Sequence, residues 1–293
     1  MPPEAIPLNL LPDGRTVPVL PQQSALEAIL AQRVPHVNVC GGKGRCSTCR
    51  VRVLEGQANC APPTAVERDV LAQLRLGREV RLACQLRVVG PVTLRRLVLD
   101  EADTVLANEL REGGALLPAG EERHLAILFA DIRGFTPFAA GLPPYDVVHV
   151  LNRYFYRMEG VVRRHGGRLN NLVGDGLLAL FGLDAPEHPA LGAVRAGLAM
   201  LGEGRRLGRQ LDALYQSGFD VRVGVHVGQV VVGAVGTPRL HKVTAIGPAV
   251  NLASRVEAAN KEAGTRFLIS EAAYAEVEGE VELGKVLSLE LPG

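Results

Sequence analysis

The 293-residue chain has five cysteines, and all of them lie between positions 40 and 84. Three share one loop, Cys40-Gly-Gly-Lys-Gly-Arg-Cys46-Ser-Thr-Cys49, and Cys84 follows in Arg-Leu-Ala-Cys-Gln. Clustered thiols without a disulfide framework point to metal or redox chemistry. A phosphate-binding loop would need Ser or Thr after the lysine, where this chain has Gly44. A redox Cys-x-x-Cys at Cys46 and Cys49 would need neither Cys40 nor the glycines. Zinc favours ligand pairs separated by two to four residues, and five separate Cys40 from Cys46. Three thiolates on a glycine-rich loop and a distant fourth suit a [2Fe–2S] cluster. The glycines let the backbone fold round a bulky inorganic core and aim N–H groups at its sulfides. Cys60 has no place in this pattern and reads as a small buried or loop residue.

A second constellation is acidic. Phe-Ala-Asp131-Ile-Arg-Gly-Phe-Thr puts a carboxylate at the end of an apolar strand, and Val-Gly-Asp175-Gly-Leu puts another at a hairpin tip. An ionised carboxylate at a buried strand end is costly unless something pairs with it. Two of them suit Mg²⁺, which takes one or two protein oxygens and completes its shell with water and phosphates. Taken singly, each Asp could equally cap a turn.

The elements that position these residues fall into two blocks. Residues 1–99 read as short strands with two small helices. Pro12-Asp13-Gly14 turns a hairpin. Ser24-Ala-Leu-Glu27 and Thr64-Ala-Val-Glu67 are capping boxes, predicting helices through about Gln32 and Leu74. Strands are expected at Glu79–Ala83 and Val92–Leu97. Residues 100–122 read as a linker, with a helix in DEADTVLANELRE (100–112) followed by Gly and Pro breakers. Over 123–293, strands at Leu125–Ala130, Leu169–Val173, Leu177–Phe181, Val221–Val227 and Val230–Val235 alternate with helices at Tyr145–Arg164 and about Ala190–Tyr215, which indicates an α+β or α/β sheet domain. Residues 1–100 hold 13 Lys and Arg against 8 Asp and Glu, and the remainder 19 against 23. The arginines are scattered and Trp is absent, so no nucleic-acid stripe is expected. The apolar runs are too short to cross a bilayer, and the first residues lack a secretory pattern, so a cytoplasmic protein is expected.

Cys-Gly-Gly-Lys-Gly-Arg-Cys-Ser-Thr-Cys-Arg with Arg-Leu-Ala-Cys-Gln-Leu resembles the adrenodoxin-type [2Fe–2S] ferredoxins. The resemblance implies a β-grasp fold and Cys40, Cys46, Cys49 and Cys84 as cluster ligands. Residues 123–270 resemble the class III nucleotide cyclase catalytic domain in LAILFADIRGFT, NLVGDGLLALFG, VRVGVHVGQVVVGAVG and TAIGPAVNLASRVEAAN. That resemblance implies an α+β chain whose second domain is a ferredoxin-like α/β sandwich, paired head to tail in a homodimer with active sites at the interface. It implies that Asp131 and Asp175 bind two Mg²⁺ or Mn²⁺ ions, that Asn251 orients the ribose and that Arg255 stabilises charge on the transferred phosphoryl group. Lys285 lies near the place of a triphosphate-contacting lysine in the family, and reads equally as a solvated lysine.

Two positions depart from the family. Adenylate-forming members have lysine and aspartate at the base-reading places held here by Asn171 and Lys242, and guanylate-forming members have glutamate and cysteine. Lys242 and Asn171 can meet either base, since an amide reads both patterns by flipping. ATP is the expected substrate by resemblance to bacterial members. The expected protein is an adenylate cyclase with a redox-sensing iron–sulfur domain and an electron donor for its cluster. The alternatives are a GTP-using cyclase, or an electron carrier fused to an inactive cyclase-like dimerisation domain.

Overall fold

The computed structural model describes residues 5–74, 77–97, 120–185, 187–215, 219–237 and 240–291. The helix expected between residues 100 and 112 lies outside them. The chain is α+β and divides into two compact units, residues 1–121 with 234–242, and residues 122–233 with 243–293.

In the first unit, β1 (Ile6–Leu11) and β2 (Arg15–Val19) form the expected antiparallel hairpin. Gly14, at φ +63°, closes its turn, in a region that glycine adopts without Cβ strain. β5 (Val92–Arg96) runs parallel to β1, and β3 (Arg50–Glu55) joins it to β4 (Val80–Leu82), giving the order β2-β1-β5-β3-β4. Helix α1 (Ala25–Ala31) crosses this sheet with a complete capping box between Ser24 and Glu27. Its buried Ala25, Leu26, Ala28 and Ile29 pack on Leu8, Leu10, Val17 and Leu94, closing a β-grasp core. Helix α2 (Ala65–Gln73) departs from expectation. Thr64 accepts the Glu67 N–H, but the Glu67 carboxylate does not return the bond. It is buried instead against Arg81, so a long-range ion pair overrides the local box.

The second unit is built on a sheet ordered β10-β9-β6-β8-β7, with β11 (Phe267–Ile269) pairing with β9 in parallel. β6 (Glu121–Arg133) is longer than the six residues expected. Leu125 and Ile127 face one apolar cluster while Ala126, Leu128 and Ala130 face another, so both sides of the strand are covered. That explains its unbroken apolar run. Helix α3 (Phe135–Ala140) was not foreseen. Helices α4 (Pro144–Arg164) and α5 (Pro189–Tyr215) cover one face through Tyr154, Met158, Met200 and Leu207. Helix α6 (Pro248–Ala263) lays Ala249 and Ala253 on the other. β7 (Gly167–Val173) and β8 (Gly176–Phe181) form the expected hairpin around Gly174-Asp175. The two strands expected at 221–227 and 230–235 are one, β9 (Asp220–Thr237), because Gly228 stays extended and no turn forms. β10 (Leu240–Ile246) follows, and α7 (Glu271–Ala275) comes after β11.

Candidate functional site

The cysteine loop is held at both ends. Cys49 immediately precedes β3, and Cys84 sits in the turn that leaves β4. Ala83 N–H donates to Cys49 O at 3.1 Å, joining the two segments. Beneath them, Arg81 makes two hydrogen bonds to the Glu67 carboxylate at 2.8 and 3.0 Å, and Leu82 N–H adds a third at 2.7 Å. This buried pair fixes the strand that presents Cys84. Thr48 Oγ1 accepts from Val39 N–H and lies 3.1 Å from Cys46 Sγ.

The four thiols form two pairs, Cys40 with Cys46 and Cys49 with Cys84, each in hydrogen-bond contact. The hydrogen bond from Cys49 pulls the Cys84 thiol down to about 6 against burial, helped by the Gln85 side chain and Gly44 N–H. Cys49, the donor and the more deeply buried, is raised. Burial works to raise Cys40, but bonds from Cys46 and from the N–H groups of Arg45 and Lys43 lower it. Gly44 is required here: its φ is +71°, and a Cβ would lie 2.9 Å from Val66. Two thiol pairs ringed by backbone donors fit a [2Fe–2S] cluster, with two thiolates for each iron. Among the described residues, no three Cys, His, Asp or Glu side chains converge as a single ion would require. Cys60 stands apart, half-buried, its Sγ bonded to Gly56 O at 3.6 Å.

In the second unit the β6–β8 register, ending Ala130↔Leu177, brings Asp131 beside Gly176 and hence beside Asp175. Burial pushes the Asp175 carboxyl up to about 6, with the hydrogen bond and the charge of Asp131 adding to the effect. Two carboxylates held side by side make a donor set suited to a divalent cation, whose charge would offset their mutual repulsion. Three further residues surround the pair. Arg222 on β9 donates to Asp131 Oδ2 at 3.3 Å and lies 3.4 Å from Glu257 Oε1 on α6. The Glu257 carboxyl is pushed up to about 7 by burial and the Asp131 charge, and Tyr154 on α4 is fully buried beside all three carboxylates. None of the three was anticipated. The signal for Arg222 was a single charge inside the apolar run Val-Arg-Val-Gly-Val-His-Val.

Asn251 and Arg255, four apart on α6, share a face; Asn251 is exposed and Arg255 half-buried. Glu257, two residues beyond Arg255, points about 200° round the helix from it. The face that carries Asn251 and Arg255 therefore turns away from the side on which Glu257 approaches the aspartates. Pro248 begins this helix at N1, where a missing N–H costs nothing. Asn171 on β7 folds its Oδ1 onto Leu172 N–H at 3.0 Å, leaving its NH₂ to donate, while Lys242 is exposed on β10. Neighbouring Asn170 ties β7 to β10 through Val243 O at 2.9 Å and Thr244 Oγ1 at 2.7 Å. Lys285 is exposed outside any regular element. A groove of about 480 Å³ between α4 and α5, lined by Arg157, Arg163, Arg164, Arg206 and Glu203, contains none of the expected site residues.

A carboxylate pair at the junction of a central strand and a hairpin, on a sheet with helices on both faces, is the arrangement to set beside known proteins. The chain belongs to the adenylate and guanylate cyclase catalytic domain family, whose model matches residues 117–292. Residues 8–89 match the 2Fe-2S iron–sulfur cluster binding domain. An uncharacterised protein of Mycobacterium tuberculosis is 38% identical over 155 residues, 52% of this chain and 27% of that protein. An adenylate cyclase of Anabaena cylindrica is 33% identical over 156 residues, 52% of this chain and 30% of that protein. This chain therefore spans less than a third of the length of either relative. The crystal structure of the guanylyl cyclase Cya2 superposes with a TM-score of 0.53 at 34% identity, covering 57% of this chain and 84% of that one. Among the described residues, no helix is long and apolar enough to cross a membrane.

Proposed function

We propose that the protein is a homodimeric class III nucleotide cyclase that converts ATP to 3′,5′-cyclic AMP and pyrophosphate in the cytoplasm, with its iron–sulfur domain as a redox sensor. The observation that carries this reading is the Asp131–Asp175 pair, two carboxyls brought side by side by the register of β6, β8 and β7. Two Mg²⁺ or Mn²⁺ ions bound there would acidify the ribose 3′-OH and neutralise the triphosphate. The 3′ oxygen attacks the α-phosphorus, the bond to pyrophosphate breaks, and the 3′-OH proton leaves to solvent. Arg255 lies against the transferred phosphoryl group, where negative charge grows, and lowers the barrier by binding the transition state more tightly than the substrate. Asn251 orients the ribose from the same helical face. Because that face turns away from the aspartates of its own chain, each complete site draws Asp131 and Asp175 from one protomer and Asn251 and Arg255 from its partner. Asn171 and Lys242 read the base, and Lys285 contacts the triphosphate.

ATP is proposed over GTP on the likeness to the Anabaena adenylate cyclase. The Cya2 likeness makes GTP the competing substrate. In the first unit Cys40, Cys46, Cys49 and Cys84 hold the cluster, and one-electron reduction by a donor adds a negative charge there. That charge can alter turnover only by stabilising one arrangement of the cyclase pair more than another. The test is an anaerobic pyrophosphate-release assay, ATP against GTP with Mn²⁺, on oxidised and dithionite-reduced protein. Release from ATP at different rates in the two states is expected. Release from neither nucleotide would overturn the enzyme reading, and equal rates would overturn the sensor.

A further inference from the structure

Four buried side-chain polar atoms have no hydrogen-bond partner among the described residues, and three of them belong to the residues around the aspartate pair. They are Arg222 Nε, Glu257 Oε1 and the Tyr154 hydroxyl; the fourth, His36 Nδ1, is in the other unit. A buried unpaired polar group costs about 1–3 kcal/mol, so the Arg222 and Glu257 atoms, 3.4 Å apart and both unpaired, call for an explanation.

The geometry supplies one. The Arg222 guanidinium is divided between two carboxylates. Its Nη2 reaches Asp131 at 3.3 Å, while its Nε stops 3.4 Å from Glu257 Oε1 without hydrogen-bond alignment. Neither contact is at the short distance of a charge-assisted bond, about 2.7–2.9 Å. The frame beneath it is fixed. Gly224 lets α6 come so near β9 that a Cβ there would lie 2.2 Å from Glu257 N. Asn260, buried on α6, donates to Val223 O at 3.0 Å and locks the helix to the strand. The backbones of Arg222 and Glu257 are therefore held in place, and any adjustment falls to their side chains.

We propose that Arg222 is the resident counter-ion of Asp131, and that Glu257 is the carboxylate onto which its guanidinium transfers when a divalent cation takes Asp131. This rests on the reading of Asp131 and Asp175 as cation ligands. The transfer keeps two positive groups from crowding one carboxylate and gives Arg222 Nε and Glu257 Oε1 the partners they lack. Glu257 is thus a positioning residue that sets cation affinity from behind the site.

The test is Mn²⁺ binding to the full chain, followed by the EPR signal of free Mn²⁺ with no nucleotide present. Arg222→Gln removes the competing cation and should tighten binding about tenfold, whereas Glu257→Gln removes the acceptor and should weaken it by a similar factor. Arg222→Lys, which keeps the charge, should bind near the wild-type level. In a Mg²⁺ titration by NMR, the Arg222 Nε–H should become protected from exchange. A purely structural pair would move both Gln variants in the same direction, and that result, or wild-type affinity in Glu257→Gln, overturns the transfer. If Arg222→Gln does not fold, Glu257→Gln and Arg222→Lys decide alone. Asp131→Asn separates the two readings. If it binds Mn²⁺ as wild type does, the cation site itself is lost; if it does not bind, the site stands whatever the Arg222 and Glu257 variants do.

Discussion

The two candidate centres of this chain are built in opposite ways. The cysteine cradle is complete within its own unit. Three of its ligands share ten residues, and the fourth is tied to them by the Ala83–Cys49 hydrogen bond. The carboxylate centre gathers Asp131 from β6, Asp175 from a hairpin turn, Arg222 from β9, Glu257 from α6 and Tyr154 from α4. Even so, it leaves Asn251 and Arg255 facing elsewhere. A prosthetic group needs a site that closes around it and stays closed. A site that must admit a nucleotide and release two products can be left open in one chain and completed by a second.

The largest effects should come from breaking each centre separately. Asp131→Asn should lower nucleotide turnover by about 10²–10³-fold or more, the loss found when one charge-stabilising group is removed, while the visible absorbance of the cluster stays intact. Cys84→Ser should abolish that absorbance and with it any difference between oxidised and dithionite-reduced turnover. The contrast sharpens on mixing. Asp131→Asn and Arg255→Ala chains, each inactive alone, should recover activity together, because their heterodimer has one intact site. Failure of the mixture to recover, with both variants dimeric by light scattering, would break the half-site description.

Next in size is the ion pair under the cluster. Glu67→Ala strands the Arg81 charge in a buried place, a change worth about 3–5 kcal/mol. Chemical denaturation followed at the cluster absorbance should shift by that amount. Hydrogen–deuterium exchange in α4 should stay as in wild type, since α4 belongs to the other unit. A shift in both regions would mean that the units do not fold independently.

The dependence of stability on pH should have opposite signs in the two units. Asp175 and Glu257 sit near 6 and 7, above their ordinary 3.8 and 4.5. Each binds its proton more tightly when folded, so that stabilisation is complete below about pH 4 and is lost as pH rises through 6 and 7. In the first unit the Arg96 hydrogen bond lowers Asp13, and the bonds from Ser24 lower Glu27. Their stabilisation is present above the unfolded carboxylate range and is lost on acidification. Protection factors, which remove the intrinsic pH dependence of exchange, should therefore fall around β8 from pH 5 to 8 without divalent cation and recover when Mg²⁺ is added, while those around α1 stay flat over that range and fall only on further acidification.

Legibility in the sequence followed the same division. The hairpin at Asp13-Gly14, the cysteine set and helix α1 were readable because their determinants lie within a few residues of one another. The positions of Asp131 at a strand end and Asp175 at a hairpin turn were legible too, through the strand-turn pattern around them. Arg222, Glu257 and Tyr154 were not, because each looks ordinary in its own element and matters only once β9, α4 and α6 converge. The single strand β9 was misread as two for a related reason. Gly228 can turn but need not, and its sheet neighbours keep it extended.

The smallest expected effect tests whether a local pattern suffices even in the self-contained unit. Ser24-x-x-Glu27 and Thr64-x-x-Glu67 carry the same signature, yet only the first is reciprocal. Ser24→Ala removes the acceptor for Glu27 N–H and leaves the Glu27 carboxylate without its hydroxyl partner, so it should cost about 1–2 kcal/mol, the upper part of the capping range. Thr64→Ala removes one bond to a helix whose Glu67 is already anchored by Arg81 and Leu82, and should cost about 0.5–1 kcal/mol. Denaturation of the two variants at the cluster absorbance measures the difference. If Thr64→Ala proved as costly as Ser24→Ala, the Glu67–Arg81 pair would not be holding α2 in place of the box. The strand that presents Cys84 would then owe its position to the local cap rather than to the buried ion pair.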